Sequence, residues 1–139
     1  MKVAVVYWSG TGNTEAMAHA VAEGASGNGA EVAEFDASQF GPEKIAEFDA
    51  IAFGCPAMGA EVLEESEFEP MFEACEAQLS GKKIGIFGSY GWGDGEWMRN
   101  WADRCRNAGA NLVNDGVMCN DAPDQAAEDE CKALGALLI

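Results

Sequence analysis

Six residues near the start of the chain, Ser9-Gly10-Thr11-Gly12-Asn13-Thr14, have the types and spacing of a phosphate cradle. Three hydroxyls and one amide supply donors, and two glycines let the backbone curl until its N–H groups converge on one point. No Lys or Arg lies in the loop. A phosphate there would be held by neutral donors, which suits one terminal monophosphate better than a triphosphate with Mg²⁺. The P-loop, with a Lys beside Ser or Thr after its last Gly, does not match, and neither does the G-x-G-x-x-G dinucleotide fingerprint. A plain strand-to-helix turn capped by Thr14 or Asn13 is the weaker reading, because it leaves three hydroxyls in six residues unexplained.

Two later stretches complement the cradle. Tyr90-Gly91-Trp92-Gly93-Asp94-Gly95 places two aromatics in a glycine-rich loop, where burial is hard to arrange. An exposed indole is a platform for a flat conjugated ring, and the glycines let backbone N–H groups approach the ring's edge. Pro56-Ala57-Met58-Gly59-Ala60-Glu61 offers a thioether to cover a second ring face and a carboxylate to accept a ring N–H. Together the three stretches describe a pocket for a phosphorylated planar heterocycle.

The surrounding elements must bring these loops to one place. Val3–Trp8 is apolar and β-rich, and Glu15–Ala22 has apolar residues at helical spacing, with a glycine-rich stop from Gly24 to Gly29. Ala30–Asp36 alternates apolar and acidic residues, as a half-exposed edge strand does, and Pro42 opens a short helix after a turn. Ala50–Cys55 and Ile84–Ser89 are continuously apolar, the mark of strands covered on both faces. Leu63–Leu79 reads as a helix that Pro70 either kinks or restricts to its later part. Glu96–Asn107 is a helix stopped by Gly109, and Ala110–Met118 is a last strand interrupted at Asn114-Asp115-Gly116. A terminal helix opens at Ala122-Pro123-Asp124. Five strands alternating with helices predict one α/β domain over residues 1–139, a doubly wound parallel sheet. Ligands of such sheets lie beyond the carboxyl ends of the strands, near the switch point of strand order. The three loops follow strands 1, 3 and 4 and should share that edge.

The net charge of −16 argues against nucleic acid and against anionic membrane surfaces. It favours a partner with a positive docking patch, since complementary fields speed encounter; the bland alternative is a halophile's solubility device. The five cysteines form no C-x-x-C pair and no Cys/His cluster, so they read as reduced, mostly buried small hydrophobes rather than a zinc or iron–sulfur site. His19, the single histidine, reads as a surface or boundary residue of the first helix. No apolar run approaches a membrane span, and Met1-Lys2 leads into strand without signal-peptide organisation, which makes a cytoplasmic location the expectation.

The segments Tyr7–Glu15, Pro56–Gly59 and Phe87–Gly93 resemble the three FMN-binding loops of short-chain flavodoxins from anaerobic bacteria, and the resemblance extends over essentially the whole chain. It implies the flavodoxin-like strand order 2-1-3-4-5 and non-covalent FMN. Ser9, Thr11, Asn13 and Thr14, with the backbone of Gly10 and Gly12, would hold the phosphate. Met58 and Trp92 would lie against the two faces of the isoalloxazine, and Glu61 would accept from its N3 atom. Ser89, Tyr90, Gly91 and Trp92 would line the ribityl and pyrimidine end, with Pro56 and Ala57 beside them; Pro56 itself has no N–H to give. The Gly59–Ala60 peptide would turn its carbonyl to the flavin N5 hydrogen.

The function implied is low-potential one-electron transfer between the semiquinone and hydroquinone states, by a carrier without a substrate of its own. Its partners would be ferredoxin-dependent reductases or oxidoreductases, and a monomer is expected. Ala60 departs from the polar residue common at its position. If the flipped turn puts it at a positive φ, Ala60→Gly would stabilise the semiquinone. The rival enzyme reading, an FMN-dependent NAD(P)H–quinone reductase, calls for longer loops and basic residues over the flavin. A phosphoacceptor receiver domain fails, because strand 1 ends in Ser-Gly-Thr rather than an acidic pair. The run Glu64, Glu65, Glu67 and Glu69 is either a docking patch or a solvated helix face, the latter being the default.

Overall fold

Alternation along the central strands decides which layer each side chain joins. In β1 (Lys2–Tyr7), Val3 and Val5 face one side while Ala4 and Val6 face the other; in β3 (Ala50–Gly54), Ala50 and Ala52 oppose Ile51 and Phe53. The computed structural model describes residues 1–139. Its remaining elements are α1 (Asn13–Gly27), β2 (Glu31–Asp36), α2 (Phe68–Glu76), β4 (Lys83–Tyr90), α3 (Glu96–Asn107), β5 (Asn111–Leu112), β6 (Val117–Asn120) and α4 (Gln125–Leu137), with two short 3-10 helices, Ala37–Gln39 and Pro42–Glu47, between β2 and β3. The sheet runs β2-β1-β3-β4, and β5 and β6 share the fifth position, each pairing with β4; every pairing is parallel. The predicted order 2-1-3-4-5 therefore holds, with its last strand in two pieces. Gly85 and Ile86 on β4 stand opposite the four residues Val113–Gly116, a bulge turned by the Gly116 N–H donating to Asn114 Oδ1 at 2.9 Å.

The two faces are filled differently. Under α2 and α3, Phe53 and Trp101 each meet both Phe68 and Phe72 edge to face, with centroids 5.1 to 6.5 Å apart. Each such pair contributes about 0.5–1.5 kcal/mol beyond its buried area. Under α1 and α4 the strands present small residues, Ala50, Ala52 and Gly85, and the helices come close to one another. A Cβ on Gly24 would lie 2.0 Å from the Lys132 carbonyl oxygen, and one on Gly135 would lie 2.2 Å from that of Val21. This explains why α1 runs on to Gly27 instead of stopping at Gly24: that glycine serves helix contact. Gly135→Ala forces two backbones apart and is expected to cost about 1–3 kcal/mol. A urea midpoint equal to the parent's would contradict that close approach.

The predicted helix over 63–79 is shorter than its periodicity. Leu63 and Leu79 are buried but lie outside α2, which starts at Phe68 and keeps Pro70 in its first turn, where a missing N–H costs nothing. His19 is exposed on α1, its Nδ1 2.7 Å from Glu34 Oε1. Four of the five free cysteines are buried. Burial pushes the Cys105 and Cys131 thiols up to about 12, so at neutral pH they stay protonated.

Candidate functional site

The turn from β1 into α1 is built by Gly12 and Ser9. Gly12 has φ +95°, a left-handed conformation at the helix N-cap that disfavours any side chain. With no side chain there to cap the helix, the Ser9 hydroxyl does so from three residues upstream. Its Oγ accepts the Gly12 N–H at 3.1 Å and the Glu15 N–H at 3.3 Å, leaving its own hydrogen to be donated elsewhere. Asn13 and Thr14, expected in the loop, are the first residues of α1. The N–H groups of Gly10, Thr11, Asn13 and Thr14 find no acceptor within the fold. Four free donors at the positive end of a 15-residue helix, without a base among them, form an anion cradle.

Thr14 and Ser89 tie this loop to the end of β4. Both are buried, at 1% and 5% exposure; their hydroxyls are 3.3 Å apart, and the Ser89 N–H reaches Thr14 Oγ1 at 3.4 Å. Beyond them opens a cleft of about 230 Å³. Gly10, Thr11 and Asn13 line it from the first loop, Pro56, Ala57 and Met58 from the second, and Ser89, Tyr90 and Gly91 from the third. Ser9, Gly12 and Thr14 do not line it; they are tied to the loops that do, Gly12 through Ser9 and Thr14 through Ser89. Gly59, Ala60, Glu61 and Trp92 are not part of its wall but stand on the projecting tips of the second and third loops. Two lining residues had no assigned role from sequence, Trp8 and Asp121. Asp121 follows β6, so it shares the carboxyl edge of the sheet, and that position was the signal available; its N–H donates to the Tyr90 carbonyl at 2.8 Å.

The second loop is a small hairpin. Met58 and Val62 exchange backbone hydrogen bonds of 2.8 and 3.0 Å across Gly59-Ala60-Glu61. The left-handed residues are Gly59 (φ +52°) and Glu61 (φ +56°), while Ala60 is not among the positive-φ positions. In this conformation the left-handed backbone falls on Gly59 and Glu61 and not on Ala60. Met58 and Trp92 are 37% and 63% exposed, high for a thioether and an indole.

The acidic run is not one patch. Glu64 is buried, and its carboxylate accepts the N–H groups of Ser66, Glu67 and Phe68 at 2.8 to 2.9 Å, capping α2. Glu69 is gripped through two oxygens by Arg104 on α3, at 2.7 and 2.6 Å, with Glu76 on the same guanidinium. Only Glu65 and Glu67 are exposed, and Glu67 accepts from Trp8 Nε1 at 3.4 Å. A wider groove of about 490 Å³ between α2 and α3 has Arg104 as its one cation, already occupied by those carboxylates.

A family model described as flavodoxin matches residues 5–135. The flavodoxin of Megasphaera elsdenii is 47% identical over 96% of this chain and 95% of its own length. That of Clostridium beijerinckii is 46% identical over 90% of this chain and 91% of its own. A solution structure of the two-electron-reduced M. elsdenii protein superposes with a TM-score of 0.88, covering 98% of this chain and 97% of that one.

Proposed function

The chain belongs to the flavodoxin family of electron-transfer proteins, and on that premise we propose that it carries non-covalent FMN as a low-potential one-electron carrier. The observation that carries this reading is the meeting, on one sheet edge, of four unpartnered N–H groups with a cleft flanked by an exposed Met and an exposed Trp. The donor set fits a phosphomonoester: neutral, convergent and set at a helix N-terminus. When bound, the flavin supplies the one-electron chemistry, working between its semiquinone and hydroquinone forms. The cradle of Ser9–Thr14 would bind the phosphate, Met58 and Trp92 would cover the ring, and Glu61 would accept a ring N–H. Ser89, Tyr90 and Gly91 would line the remainder.

Low potential follows from charge. No Lys or Arg lines the cleft, Asp121 does, and Arg99, the first base in sequence after the third loop, is paired with Asp94 at 3.0 Å. Added to a net charge of −16, these carboxylates disfavour an anionic reduced ring. The exposed acids near the cleft, Glu65, Glu67, Asp94 and Asp121, would meet redox partners through a basic patch. We also infer a single cytoplasmic domain acting as a monomer; no helix is long and apolar enough to cross a membrane.

The test is a visible spectrum of the purified protein followed by stepwise anaerobic reduction. Yellow flavin bands passing through a blue one-electron species are the expected result. Bleaching directly by NAD(P)H, with no reductase added, would overturn the carrier in favour of an enzyme. A colourless protein that takes up no FMN would overturn the cofactor.

A further inference from the structure

Glu61 is the one residue of the hairpin tip whose side chain reaches another loop. Its Oε1 accepts the backbone N–H of Gly95 at 3.3 Å, across 34 residues of sequence. To get there it crosses directly over Gly93, where an added Cβ would stand 2.3 Å from Oε1 and 2.5 Å from Cδ. Its backbone is left-handed, φ +56°, a conformation a side chain adopts at a cost and which other contacts must sustain. Gly95 is the N-cap of α3 and has no side chain of its own to cap the helix. A carboxylate at that end is favoured by the helix dipole.

We propose that Glu61 is a positioning residue, a latch that ties the Met58 hairpin to the Trp92 loop through the Gly95 N–H before any ring is bound. One carboxylate oxygen holds the third loop, and the second stays free for a ring N–H. The latch therefore sets the spacing between the two ring-facing side chains, and Gly93, whose own φ of +87° already favours glycine, leaves room for the Glu61 side chain to lie on it. The consequence for cofactor affinity rests on the FMN reading above; the latch itself does not require FMN.

Amide hydrogen exchange at Gly95, followed by NMR in the full-length protein with and without added FMN, tests this. In Glu61→Ala the FMN-free protein should exchange the Gly95 N–H about tenfold faster, the scale of one hydrogen bond. Glu61→Gln keeps an acceptor oxygen and should restore protection to within about threefold. FMN affinity should fall in the order Glu, Gln, Ala, because Gln has one oxygen for two donors. Unchanged Gly95 exchange in Glu61→Ala, or a Gln variant exchanging as fast as the Ala variant, would overturn the latch even if FMN binds normally. Failure to bind FMN at all, with Gly95 exchange responding as stated, would overturn the cofactor reading and leave the latch standing.

Discussion

Glu64→Ala should lower stability by about 3 kcal/mol and fray the start of α2. Glu64 is buried, and its carboxylate accepts from three backbone N–H groups and from the Ser66 hydroxyl. Burial by itself would raise its pKa, but those hydrogen bonds outweigh it and hold the group at about 2, against an ordinary 4.5. A pKa depressed in the folded state contributes stability that is complete above the unfolded value. That stability drains away as pH falls from about 4.5 toward 2. The depression corresponds to roughly 3 kcal/mol at neutral pH. Glu64→Gln keeps an acceptor but does not titrate there. Urea titrations of the FMN-free chain at pH 7 and at steps from 5 to 2 should show the parent losing its advantage over Glu64→Gln within that window. Curves that stay parallel would mean the carboxylate is not the cap.

The alternation of strands and helices and the three ligand-edge loops were legible in the sequence because each rests on local signals, whereas the sheet order came only with the family resemblance those loops carry. Apolar runs, glycine clusters and hydroxyl spacing are read within a few residues of one another. What escaped depends on partners far along the chain. Glu64 and Glu69 look alike in a run of acids, yet one is buried as a cap and the other is held by Arg104, 35 residues on. Gly24 carries the usual mark of a helix stop, yet it stays helical because α4 packs against it. The start of α2 also resisted reading, since Pro70 marks a helix's first turn as readily as its interruption, and the residue that decides, Glu64, caps from outside the helix. Asp121 belongs to no motif and reaches the site only through the topology of the sheet.

FMN is expected to bind about a thousandfold or more tightly than riboflavin, which has the same ring and lacks only the phosphate. At neutral pH a phosphomonoester carries nearly two negative charges. The cradle offers it the free N–H groups of Gly10, Thr11, Asn13 and Thr14 and the unspent hydrogen of Ser9. Hydrogen bonds to a charged group contribute about 1.5–3 kcal/mol each, so two good ones already give about three powers of ten. Against them stands the long-range repulsion of a chain with net charge −16. The two effects separate with salt. Contacts inside the cradle are screened little, whereas repulsion from distant carboxylates is screened within about 10 Å at 0.1 M. FMN affinity should therefore rise with ionic strength while riboflavin affinity stays nearly flat, the reverse of what a cationic phosphate site would show. Fluorescence-quenching titrations of both flavins across a salt series measure this directly. Riboflavin binding within tenfold of FMN would mean that the loop after β1 is a turn and not a phosphate site.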